Sequence, residues 1–167
     1  MAGQTPGSAE GGLPQSYVTG LTETSLIDLE GVGKIRFENG KWYKWVLYDD
    51  GTDTLDIVAG DFLGYFASTG YGLSKVVSDI SDGDATTPFG AGVAVATVTV
   101  DQTYMWIQIK GLVTLSLDPT GTPADSNALV PSATNKAMAI ATASDVEHIC
   151  GHTINDASKI VYLDCPW

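Results

Sequence analysis

Basic residues are scarce in this chain: 8 Lys and Arg stand against 20 Asp and Glu, for a formal net charge of −12 and a pI near 4.2. Nucleic-acid affinity draws on clustered cations that release counterions, and the few here are scattered. Nucleic acid and anionic membranes are therefore poor partners. Long apolar runs are missing too: none reaches the ~18 residues of a membrane-spanning helix. The opening MAGQTPGSAEGG lacks the basic and apolar segments of a secretory signal. The expectation is a soluble chain made in a reducing cytoplasm. There is no phosphate-cradling glycine loop, no dinucleotide fingerprint and no HExxH.

Charged residues make up only 17% of the chain, whereas Gly numbers 19 and Ser and Thr abound. That balance belongs to turn-rich β proteins. At 167 residues there is room for one domain with appendages. Residues 1–15 are Gly, Ser, Pro, Gln and Ala without apolar period, and 16–29 hold a few apolar residues without a clean one. The division expected is a flexible N-terminal arm over 1–24 and a single all-β domain over 25–167.

The strongest strand signal lies in residues 92–117. Met105, Ile107, Ile109, Val113, Leu115 and Leu117 alternate with Tyr104, Trp106, Gln108, Lys110, Thr114 and Ser116, with Gly111 in the one odd slot. The odd face is predicted to enter a core, and the even face to meet water or another protein. Gly111 reads as a bulge or a point of close approach. With the β-branched run 93–100 before it and Asp101-Gln102-Thr103 between, the stretch reads as a hairpin. A second hairpin is signalled at 34–48, where Asn39-Gly40 supplies the positive φ of a tight turn. Short apolar runs at 57–66, 137–143, 146–153 and 159–163, parted by turn residues, complete a compact sandwich or barrel, jelly-roll-like, of roughly eight short strands.

Candidate chemistry is thin. Asp49, Asp50, Asp53 and Asp56 crowd one turn, but Gly51 comes third and no Glu stands twelfth, so the calcium-loop pattern fails and a solvated acidic turn is expected. His148, Cys150 and His152 would share one face of a strand, in steps of ~7 Å, too far apart for a common zinc ion without a bend. The same separation leaves either histidine too far to activate Cys150 as a nucleophile. Cys150 and Cys165 would close a ~15-residue loop if joined, worth roughly 3 kcal/mol. A reducing compartment favours two thiols at synthesis, and oxidation after release stays open. The reading is no enzyme, no metal and no cofactor. Trp42, Tyr43 and Trp45 cluster within four residues, as a sugar-stacking platform or as core and subunit contact.

Several stretches together resemble the capsid decoration, or cement, proteins of tailed bacteriophages. They are the apolar strand with its Gly-Asp turn at 57–66, AGVAVATVTVDQTYMWIQIKGLVTLSL at 91–117, and the small polar loop at 125–129. The Ala-rich strand, the strand beginning near Val146 and the apolar last strand follow. The resemblance spans roughly residues 58–163. It implies a non-catalytic virion protein on the capsid exterior. Such a protein stabilises the shell by binding the major capsid protein, as a homo-oligomer (dimer or trimer). The N-terminal part and Cys165-Pro166-Trp167 lie outside the match. Trp42, Tyr43, Trp45, Tyr104, Trp106 and Trp167 are the candidate protein contacts, because buried aromatics dominate interface energetics. The alternative is a carbohydrate- or receptor-binding β module of a phage tail or fibre.

Overall fold

A computed structural model describes residues 16–50, 56–66, 74–80, 89–145 and 148–166. Among them the regular structure is all β. The strands are β1 (Thr24–Ser25), β2 (Ile35–Glu38), β3 (Lys41–Tyr48), β4 (Phe62–Tyr65), β5 (Lys75–Val77) and β6 (Gly90–Ala94). They continue with β7 (Thr103–Thr114), β8 (Ala128–Pro131), β9 (Met138–Ile140), β10 (Gly151–Asn155) and β11 (Ile160–Asp164). This exceeds the expected eight because β1, β5 and β9 are only two or three residues long, too short for an alternation to register.

Pairings β3–β5, β5–β4, β4–β6, β6–β7 and β7–β3 form a ring, so five strands close a barrel. Closure removes the free edges that an open sheet would leave. β11, β10, β8 and β9 then continue from β7 as an extension. β7 is the hub. Met105 pairs with both Val46 and Thr24, Ile107 with Lys44 and Ala94, and Lys110 with Trp42 and Asp164. A residue has one partner per edge, so β3 runs along one edge while β1, β6 and β11 follow one another along the other.

Local chemistry explains the corners. Asn39 and Gly40, at φ of 52° and 77°, make the tight β2–β3 turn that the dipeptide signals. Gly92 lies at φ 152°, and a Cβ there would come 2.5 Å from the Gln108 carbonyl oxygen, so only glycine lets β6 lie so close on β7. Gly111, expected as a bulge or close approach, sits at φ 100° where β3 leaves β7 and β11 takes over; its Cβ would stand 3.3 Å from the Gly40 carbonyl.

Met105, Ile107 and Ile109 enter the core as the alternation predicts, joining Val46, Phe62, Leu63, Leu129, Met138 and Leu163. Each such burial is worth about 1.5–3 kcal/mol. The alternation holds on past Ile109, with Val113 packed against the core and Leu115 buried in it; Leu117 alone of that face is exposed, because β7 ends at Thr114. The expected hairpin partner is also shorter. β6 stops at Ala94, and the chain leaves β7 so that Val98 can bridge to Ile57. Residues 148–150 precede β10 instead of extending it, which overturns the shared face of His148, Cys150 and His152: Cys150 is buried and His152 exposed.

Two acidic residues expected in polar turns are structural. Asp61 is buried, accepting from the Val58 amide at 2.9 Å and from the Ser116 hydroxyl. Asp50, at the start of the acidic turn, accepts from the Tyr48 hydroxyl, the Ser78 amide and the Ser78 hydroxyl, which ties β3 to the segment after β5. Residues 51–55 of that turn lie outside the described residues.

Candidate functional site

Trp45 and Trp106, read as contact residues, are wholly interior, and Tyr43 is nearly so. They form a second apolar cluster, distinct from the barrel core. At Trp106 and Gln108 the even-numbered face of β7 therefore does not meet solvent, whereas further along the strand Thr114 does. Alternation along β3 and β7 puts one set of side chains inside the barrel and the other outside. The outside set carries too much aromatic surface to be left in water.

Its cover is the segment 16–34, here called the lap. Tyr17 meets Trp106 edge-on at 5.7 Å, and Leu21 packs beside it. Trp106 Nε1 donates to Thr19 Oγ1 at 2.9 Å, and Trp45 Nε1 donates to Asp28 Oδ1 at 2.9 Å. Both indole N–H groups, each costly to bury unpaired, are thus satisfied by the lap. β1, inside the lap, adds pairing to Tyr104 and Met105. Residues 16–24, expected as part of a flexible arm, are therefore seated on the barrel; 1–15 lie outside the described residues.

Two carboxylates hold the lap together. Glu30 Oε1 accepts from the Val18 amide (2.6 Å), the Thr19 amide (2.7 Å) and the Thr19 hydroxyl (2.9 Å), and Oε2 accepts from Lys34 Nζ (2.7 Å). Burial pushes this carboxyl up, but the Lys34 ammonium and the Thr19 and Val18 donors outweigh it and hold its pKa at about 2. Asp28 accepts from the Gly31 and Val32 amides as well as from Trp45. Burial opposes those donors there too, and its carboxyl lies below the ordinary range. Arg36 clamps the other end: it donates to the Thr19 carbonyl and lies 4.7 Å from the Tyr17 ring centre.

With Thr19 and the Glu30 carboxylate turned inward, the lap presents a run of apolar side chains outward. Leu26 and Ile27 are 69% and 70% exposed, and Leu29, Val32 and Val18 are exposed as well. Leu26 also borders a shallow hollow of about 240 Å³, whose far wall is residues 97–100, including exposed Val100. Four exposed aliphatic side chains within seven residues, on a loop fixed by internal hydrogen bonds, form an ordered apolar surface of the kind that marks protein contact sites.

The other expected contact residues are placed differently. Trp42 and Tyr104 are half-buried; Trp42 packs against exposed Phe37 at 5.1 Å, and Tyr104 stacks on Trp45 at 6.4 Å. Trp167 lies outside the described residues. A sugar platform built on Trp42 and Trp45 loses Trp45 to the interior. The exposed loop was missed because its apolar residues follow no period. The available sign was Leu26, Ile27 and Leu29 alternating with acids beside Gly31 and Gly33.

Among the described residues no group of three or more His, Cys, Asp or Glu is placed to hold a metal ion. Lys44 is, with Asp61, an unforeseen interior charge. It points into the barrel, donates to Tyr65 Oη at 3.1 Å, and burial lowers its pKa. Burial, with the Cys165 thiol close by, raises that of Tyr65. Neither the family models nor the curated proteins compared with the chain match it.

Proposed function

We propose that this chain is a structural protein of tailed-bacteriophage particles. In this reading it decorates the exterior of the assembled capsid, binds the major capsid protein and stabilises the shell without catalysis. The observation that carries the reading is the lap loop 26–32: held from within by Asp28 and Glu30, it turns Leu26, Ile27, Leu29 and Val32 to solvent. Such a preformed surface pays little ordering entropy on docking, as a cement protein requires. A closed barrel supports it as a rigid base, and the net charge of −12 keeps free copies apart before they dock as dimers or trimers.

The sequence resemblance over roughly residues 58–163 supplies the partner class, and the lap supplies the contact. Quantitative mass spectrometry of purified particles of the encoding phage tests the reading. Many copies per particle, released when the shell is dissociated, are expected. Absence from the particle, or copies confined to the tail, overturns it, and the second outcome favours the tail-module alternative.

A further inference from the structure

Far along the chain from the lap, two thiols meet at one pocket. Cys150 and Cys165 are free and almost wholly buried, at 1% and 2% exposure. The Asp164 amide donates to the Cys150 carbonyl at 2.9 Å, so Cys165 follows directly after the residue that faces Cys150 across the β10–β11 hairpin. Cys165 Sγ donates to that same Cys150 carbonyl at 3.6 Å, and Cys150 Sγ to the Leu129 carbonyl at 3.6 Å. Both cysteines line a pocket of about 320 Å³ that is open to solvent, with Phe89, His148 and Pro166 among its other walls. Gly90 keeps the space beside them: a Cβ there would stand 3.0 Å from Cys150 Sγ and 2.8 Å from the Phe62 ring.

We propose that Cys150 and Cys165 form a redox modification site that takes a low-molecular-weight disulfide as its oxidant. One cysteine gives up its proton and attacks a sulfur of the small disulfide; that S–S bond breaks, and the departing thiolate takes up a proton. The second cysteine, deprotonated in turn, attacks the protein sulfur of the mixed disulfide and expels the second small thiol. Two protein S–H groups and one small disulfide become one Cys150–Cys165 disulfide and two small thiols, with no net change in protons.

With the Cys165 sulfur already 3.6 Å from the Cys150 carbonyl, the bond needs the two sulfurs to close to about 2.05 Å by side-chain rotation at the open end of one hairpin. The neighbouring Cys150 thiol, together with burial, holds the Cys165 thiol well above its ordinary range, which keeps the pair as a dithiol until an oxidant enters. Once formed, the disulfide fastens the end of β11 to the start of β10. The Cys165 amide there also donates a hydrogen bond to the Ile109 carbonyl at 3.0 Å, so the staple secures the extension to the hub strand.

Native full-length protein is incubated with excess cystamine, then examined by intact mass, free-thiol count, peptide mapping and thermal melting. Both thiols are expected to disappear with the loss of two hydrogens and no retained adduct. A Cys150–Cys165 cross-linked peptide pair should appear, and Tm should rise by roughly 5–10 °C, reversibly with dithiothreitol. Cys150→Ser and Cys165→Ser should each stop at a mixed disulfide with no rise in Tm. Stable adducts on both wild-type cysteines, cross-links only between molecules, or thiols that survive natively yet react in urea would each overturn the proposal. The wild-type peptide map decides the matter even where a serine variant fails to fold.

Discussion

The two apolar clusters among the described residues are buried by different means. The barrel core is enclosed by backbone pairing: five strands close a ring, and Met105, Ile107 and Ile109 are interior because the ring has an inside. The aromatic cluster lies outside that ring and is enclosed by a loop, through side chains that answer two indole N–H groups and two carboxylates that hold the loop's shape. The first enclosure depends on the whole sheet, and the second on a few polar contacts. Loss of a core side chain should thus be felt everywhere, whereas loss of a lap contact should be felt locally.

The largest break should come from Ile107→Ala, which empties part of the core and should cost about 2–5 kcal/mol in urea unfolding. Hydrogen exchange should then speed up in barrel and lap together. Glu30→Gln removes the charge that gathers Val18, Thr19 and Lys34 and should cost about 1.5–3 kcal/mol locally. Here amides in 16–34 should lose protection while those of β3 and β7 keep theirs. Equal loss in both regions would merge the two enclosures into one.

Acid should separate them as well. The folded Glu30 carboxyl titrates at about 2 against an ordinary 4.5, so its contribution is complete above about pH 4.5 and is lost as pH falls through 2. Asp28 shifts in the same direction. Over that window the lap should lift and the fluorescence of Trp45 and Trp106 should shift to the red. Lys44 sharpens the other side of the comparison. Its pKa is lowered in the fold, so burial penalises its charged form, and Lys44→Met should stabilise by about 1 kcal/mol at neutral pH. That gain should shrink as pH rises toward the ordinary lysine value of 10.5, where the unfolded chain also loses the charge.

What the sequence made legible follows the same division. The Asn39-Gly40 turn and the odd face of β7 are local patterns, set by positive φ and by two-residue alternation, and both were readable. The parallel pairing of β3 with β5 and the closure through β7 join residues far apart in the chain, which no local period records. The even face misled because alternation marks one face as apolar without saying what covers the other; Trp106 and Gln108 are both buried. The lap was least legible because its pattern is inverted: Thr19 and Glu30 face inward, Asp28 reaches the buried Trp45 indole from the surface, and Leu26, Ile27 and Leu29 face out. Lys44 likewise hides among aromatic residues as an ordinary surface lysine, and only its position on β3 turns it into the core.

The smallest effect on stability belongs to the surface that matters most for the proposed role. Leu26→Ser with Ile27→Ser should change unfolding free energy by no more than about 0.5 kcal/mol, since neither side chain is buried. The most direct test of the account is the occupancy of this double variant on purified particles, measured by quantitative mass spectrometry against wild type. Severe loss of bound copies at unchanged Tm is the predicted result. Full occupancy on the capsid exterior would contradict the assignment of the lap as the contact surface.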